Sequence, residues 1–142
     1  MNGKERVNLS KVIEKMNLVN LTPDIDVKGI WIHVPEFNRP ALQLTGFYDQ
    51  FDNDRIQIIG NVEYSYLKSL SETERYERYM QLLSSNIPCL IFCRNLEPEA
   101  EIIELAKKYQ IPILKSEEST SSFSAEVIRW LKVQLAPCIV IH

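Results

Sequence analysis

Two rhythms of apolar and polar residues alternate along the second half of the chain. "RIQIIG" at 55–60, "IPCLIFC" at 87–93 and "IPILKS" at 111–116 are short runs with apolar residues on both faces, the pattern of buried strands. Between and after them, apolar residues fall at helical spacing. Ser71 and Glu74 form a capping-box pattern ahead of Tyr76, Tyr79, Met80 and Leu83. "EPEAEIIELAKKYQ" predicts a helix with Pro98 in its first turn and a stripe of Ile102, Leu105, Ala106 and Tyr109. The hydroxyl run "STSS" leads into Phe123, Val127, Leu131 and Leu135, a helix of about four turns.

From residue 56 the order therefore reads strand, helix, strand, helix, strand, helix, and then the apolar run Ile139-Val140-Ile141. Strands apolar on both faces need cover on both sides, and right-handed crossovers lay them side by side. The expectation is an α/β fold, a single domain with a mostly parallel sheet and helices on both faces. The first half is less regular. Leu9, Val12, Ile13 and Met16 predict a short helix over about 10–18, with Ser10 able to cap it. In "DVKGIWIHV", Ile30, Ile32 and Val34 alternate as in a strand that Pro35 closes. Asn38-Arg39-Pro40 reads as the capped start of a second short helix, which Gly46 ends.

Composition narrows the function classes. The 142 residues suffice for one domain with one core, and 16 basic against 19 acidic residues leave a net charge of −3. Neither nucleic acid nor an anionic membrane is an expected partner of so balanced a chain. No run approaches the length of a membrane span, and "MNGKERVNLS" lacks an apolar signal core. Three cysteines, Cys89, Cys93 and Cys138, without a CxxC spacing suit a reducing, cytoplasmic setting.

The candidate chemistry is sparse. Four glycines, Gly3, Gly29, Gly46 and Gly60, form neither GxxxxGK[ST] nor GxGxxG, so both glycine-rich phosphate loops are absent. Two histidines, His33 and His142, make no histidine-rich metal cluster, and no metal ligands are assigned. Cys89 and Cys93 share one face of a strand. Their readings are a thiol pair for metal or redox chemistry and two small core side chains, and burial preference favours the second. Glu97, Glu99, Glu101 and Glu104 read as a solvated face that complements a helix dipole, and no catalytic residue is assigned. In "SEESTSSF", Ser119, Thr120, Ser121 and Ser122 line a helix N-terminus after a parallel strand, where anions and other ligands collect, and Thr120 and Ser121 are the candidate ligand residues. Arg39 has the fork geometry to hold a phosphate or carboxylate. Each has a plainer reading: capping and turn chemistry for the hydroxyls, and a loop-fixing ion pair for the arginine.

Several stretches together resemble one family. In "FNRPALQLTGFYDQFDNDRIQIIGNVEYSYL", Asn38-Arg39-Pro40, Leu42 to Gly46, Phe47-Tyr48 and Arg55 to Gly60 fall in the order seen in the N-terminal domain of HPr kinase/phosphorylases. "NIPCLIFCRNLEPEAEIIELAKKYQIPILKSEESTSSF" is similar to that domain's second half, through Glu97-Pro98, Ile111-Pro112 and Thr120 to Phe123. "LAPCIVIH" resembles the junction into the kinase domain; the departure is Ala41, where the family commonly has a glycine after the proline.

The resemblance implies residues 1–136 as the N-terminal domain and 137–142 as the start of a junction to a C-terminal kinase domain. It implies a bacterial parent enzyme, a cytoplasmic homo-oligomer, that uses ATP and Mg²⁺ to phosphorylate a serine of the phosphocarrier HPr. That enzyme reverses the step by phosphorolysis and regulates carbon catabolite repression. The family's phosphate-loop lysine, metal ligands and catalytic acid/base match no positions here. The expected role is an accessory or regulatory domain without activity of its own. The alternative is a free-standing sensor of the DRTGG type that binds a small ligand near Arg39, Thr120 and Ser121.

Overall fold

The computed structural model describes residues 6–137. Beyond Pro137, the expected junction lies outside the described residues, as do Cys138 and His142.

The chain opens with β1 (Val7–Asn8) and α1 (Leu9–Lys15), followed by β2 (Val19–Asn20) and β3 (Trp31–Ile32). β4 (Phe37–Asn38) and α2 (Ala41–Leu44) lead to β5 (Ile56–Ile59), α3 (Asn61–Ser69) and α4 (Glu72–Leu83). β6 (Leu90–Phe92), α5 (Ala100–Tyr109), β7 (Ile113–Lys115) and α6 (Thr120–Leu135) complete it. The main sheet has five strands in the order β2-β7-β6-β5-β4. β4, β5, β6 and β7 run parallel, and β2 adds antiparallel to β7. β1 and β3 pair separately as a small antiparallel ribbon.

Successive strand residues point to opposite faces, and both faces are filled. On one side Ile56, Ile58, Ile91 and Leu114 pack with Leu9 and Val12 of α1 and Phe123, Val127 and Leu131 of α6. On the other, Ile59, Leu90, Phe92 and Ile113 pack with Leu44, Leu67, Tyr79, Leu82, Leu83, Ile102 and Leu105 from α2 to α5. Each such side chain contributes about 1.5–3 kcal/mol on burial, which is how strands this short hold together. This is the expected α/β domain with helices on both faces.

Several local expectations are corrected. The region 61–69, not assigned from the sequence, is a helix of its own, so β5 and β6 are joined by two helices. The alternating segment around Ile30 and Val34 is a strand only at Trp31–Ile32. Asn38 does not cap α2. It lies in β4, and its side-chain amide donates to Gln57 Oε1 (2.8 Å) and Gln43 Oε1 (3.1 Å). Both glutamines are buried, so the sideways bonds outweigh a cap at an exposed turn. Gly46 does end the turn, at φ +99°. Ser71 Oγ accepts from the Glu74 amide at 3.2 Å, but the Glu74 carboxylate takes the Ser71 hydroxyl instead of the Ser71 amide. In α4 the buried stripe is Tyr79, Leu82 and Leu83, leaving Tyr76 exposed. Pro98 precedes α5, whose cap is Glu99.

The acidic run is also only partly solvated. The Glu99 side chain is 17% exposed, with Oε2 at 2.9 Å from Lys68 Nζ and 3.2 Å from Arg75 Nη1. Burial alone would raise its carboxyl, but the Lys68 hydrogen bond and the two nearby cations outweigh it and hold the pKa below the ordinary value.

Candidate functional site

The carboxyl ends of β4, β5, β6 and β7 all open onto one end of the sheet, where ligands of open parallel sheets collect. Arg39 follows β4, Gly60 follows β5, Arg94 lies just past β6, and Thr120 opens the helix after β7. They surround a pocket of about 260 Å³ lined by Arg39, Asn61, Val62, Arg94, Thr120 and Ser121. The three residues singled out from the sequence, Arg39, Thr120 and Ser121, thus lie together. Two larger hollows, of about 340 and 490 Å³, lie on helix surfaces away from the strand ends.

Arg39 is held by a partner the sequence reading missed. Its Nε donates to Glu63 Oε2 at 3.1 Å and its Nη2 to Glu63 Oε1 at 2.7 Å. Glu63 is 3% exposed, so its charge needs this pairing. Glu63 Oε1 also accepts from the Gly60 amide at 2.8 Å, the carboxylate half of a capping box; Gly60 has no side chain to supply the other half. One carboxylate therefore aims the arginine and closes the start of α3.

Gly60 itself is needed for space. Its backbone is extended (φ −113°), and a Cβ there would stand 2.4 Å from Thr120 Oγ1 and 2.8 Å from Arg39 Nη2. Any side chain at 60 would push back both pocket residues. Among the described residues, Thr120 Oγ1 is buried without a hydrogen-bond partner, and Thr120 as a whole is only 8% exposed. Ser119, one residue earlier, caps α6 by accepting from the Ser122 amide at 3.2 Å.

Arg94 is exposed, makes no ion pair among the described residues, and sits in the left-handed region at φ 59°. That conformation costs about 1–2 kcal/mol in a residue with a Cβ. Two bonds to the loop after β7 hold it: the Arg94 amide to Glu118 O at 2.8 Å and the Asn95 amide to Ser116 O at 2.9 Å. Beneath it, burial pushes the Cys93 thiol up to about 11, against the pull of the Thr120 hydroxyl and of the Arg39 and Arg94 charges. Thr120 Oγ1 is close enough to act on that thiol but lies off hydrogen-bond geometry with it. Burial raises Cys89 to about 12, and both cysteines are fully buried in the core.

The pocket does not fit ATP with a divalent metal. It is smaller than the roughly 300–1,000 Å³ of ordinary small-molecule sites, and no carboxylate lines it. Among the described residues no three of His, Cys, Asp and Glu are grouped to hold a metal ion. Also among them, no helix is long and apolar enough to cross a membrane. Gly60, Asn61, Glu63 and Arg94 were not found from sequence. The only local signal was Glu63 three residues after Gly60, the spacing of a helix start.

Comparison with known proteins gives the family. The model described as HPr Serine kinase N terminus matches residues 7–131. An HPr kinase/phosphorylase of Lachnoclostridium phytofermentans is 52% identical over 136 residues, which is 96% of this chain and 44% of that protein. One from Alkaliphilus metalliredigens is 40% identical over 136 residues, with the same coverage. The chain thus spans less than half the length of these relatives. A crystal structure of the CBS and DRTGG domains of the regulatory region of Clostridium perfringens pyrophosphatase, complexed with the activator diadenosine tetraphosphate, superposes with TM-score 0.55. It is 17% identical, covers 85% of this chain and 46% of its own, and so shares the fold alone. The chain belongs to the HPr serine kinase N-terminal family and corresponds to the N-terminal domain of HPr kinase/phosphorylases.

Proposed function

We propose that this domain is the accessory and regulatory unit of an HPr kinase/phosphorylase and transfers no phosphoryl group by itself. The observation that carries the reading is the family match over residues 7–131 in a sequence without a glycine-rich phosphate loop. Phosphoryl transfer is largely positioning and charge stabilisation by such a loop and its metal. On this reading, ATP and Mg²⁺ act in the remainder of the enzyme, which phosphorylates a serine of HPr in the cytoplasm as a homo-oligomer. Residues 137–142 are then the start of the link to that catalytic part. The regulatory half of the proposal is supported by the strand-end pocket, whose lining is cationic and hydroxylated.

The test is an assay of the 142-residue chain with ATP, Mg²⁺ and HPr, read by mass spectrometry of the HPr serine, with a full-length relative as positive control. No phosphoserine is expected from the chain alone. Turnover by the pure chain overturns the assignment.

A further inference from the structure

We propose that the pocket between α3 and α6 binds one phosphate group, carried as inorganic phosphate or as a small phosphomonoester. This deepens the regulatory reading above and rests on it only for the consequence of binding.

Asn61 and Val62 are the first two residues of the nine-residue α3, and Thr120 and Ser121 the first two of the sixteen-residue α6. First-turn amides have no acceptor within their own helix. In these two helices the Gly60 amide goes to Glu63 and the Ser122 amide to Ser119. The amides of Asn61, Val62, Thr120 and Ser121 have no acceptor among the described residues. All four residues line one cavity, so two helix dipoles bring their positive ends to the same place.

The Thr120 hydroxyl points the same way independently. Among the described residues it is buried beside the pocket without a partner, a state a phosphate oxygen would relieve by accepting its proton. Gly60 keeps that hydroxyl and Arg39 in place by having no Cβ.

The charge fits as well. Arg39 spends two of the five guanidinium N–H donors on Glu63, and the other edge has no partner among the described residues. Glu63 cancels its charge, and Arg94 then leaves the local sum at about +1 before the helix dipoles are counted. Four amides, a hydroxyl and two guanidinium edges exceed what the two oxygens of a carboxylate can accept. A phosphate monoester offers three strong acceptor oxygens and close to two negative charges at neutral pH. The volume of about 260 Å³ holds that group and a few further atoms.

The experiment is an amide chemical-shift titration of the ¹⁵N-labelled 142-residue chain at constant ionic strength. One arm uses inorganic phosphate and the other glycerol 3-phosphate, with chloride as the balancing anion. Saturable shifts are expected at Asn61, Val62, Thr120 and Ser121. Tighter binding of the ester identifies a metabolite as the source, and equal or tighter binding of inorganic phosphate identifies the free ion. Arg94→Gln should weaken binding at least about tenfold, as loss of a charge-assisted contact does. Thr120→Val should weaken it about three- to tenfold, as loss of a neutral one does. Neither side chain has an ion-pair or hydrogen-bond partner among the described residues, and unchanged shifts elsewhere will show that the fold is kept. Shifts that never saturate, that appear equally at the start of α4, or that persist undiminished in both variants overturn the proposal. The accessory-domain reading survives that result if the HPr assay stays negative, and falls separately if it turns positive.

Discussion

Arg39 and Glu63, 24 residues apart in sequence, meet as a two-pronged ion pair, Nη2 to Oε1 at 2.7 Å and Nε to Oε2 at 3.1 Å. The carboxylate is buried and the guanidinium is about one-third exposed, so the two ends of the pair differ in what their loss costs. Arg39→Ala strands a charge in the interior and should destabilise the domain by about 3 kcal/mol. Arg39→Lys keeps the charge but loses the fork and should cost about 1–2 kcal/mol. Urea denaturation midpoints check both values, and equal midpoints for wild type and Arg39→Ala would remove the pair's structural role.

Gly60→Ala introduces a methyl 2.4 Å from the Thr120 hydroxyl. Backbone or side chains must shift, which costs about 1–3 kcal/mol by the usual scale of overpacking. Thermal unfolding measures the loss. A change within experimental error would mean that the start of α3 and Thr120 separate freely.

Ser119 and Thr120 adjoin each other and should behave oppositely. Ser119 Oγ caps α6, so Ser119→Ala should cost about 1 kcal/mol. Thr120 Oγ1 bonds to nothing among the described residues, so Thr120→Val should leave stability unchanged or raise it, within about 1 kcal/mol. Parallel denaturation curves of the two variants decide the matter. A Thr120→Val loss as large as that of Ser119→Ala would give the hydroxyl a structural bond.

Acid should weaken the domain through Glu99. Its folded pKa is lowered, so its contribution is fully present above the unfolded carboxylate value of about 4.3 and is lost as pH falls through the folded value. Its partner Lys68 is raised, chiefly by the same hydrogen bond. That contribution is present below the ordinary lysine value of about 10.4 and fades as pH rises through the folded one. Urea midpoints measured against pH should therefore drop below about pH 4.3, and Glu99→Gln should flatten that limb. An unchanged slope in the variant would place the acid sensitivity elsewhere.

Cys89 and Cys93, fully buried and with thiols raised to about 12 and about 11, should resist alkylation in the folded domain at neutral pH. Peptide-level mass spectrometry of iodoacetamide-treated protein should find both unmodified until urea unfolds the chain. Rapid labelling of either in native buffer would contradict their burial.

What the sequence made legible was governed by short-range periodicity. The runs at 55–60, 87–93 and 111–116 pack on both faces, so their composition alone announced buried parallel strands. The long helix from Thr120 was equally plain from Phe123, Val127 and Leu131. α3 was missed because only Glu63 and Leu67 are buried along it, too few for an apolar stripe. β4 is two residues long, and Asn38 there serves Gln57 and Gln43, not a helix cap. Arg39, Thr120 and Ser121 stood out one at a time for their chemistry. Their meeting depends on strand order, and the Glu63 pairing spans 24 residues, neither of which any local pattern encodes.

The claim that matters most is that Arg39, Arg94 and the starts of α3 and α6 act together on one anion. The direct measurement is a crystal structure of the chain with saturating phosphate. A tetrahedral anion within hydrogen-bond distance of Thr120 Oγ1 and the amides of Asn61 and Ser121 is the predicted result. A pocket without an anion, in crystals whose phosphate binds elsewhere on the domain, would contradict it.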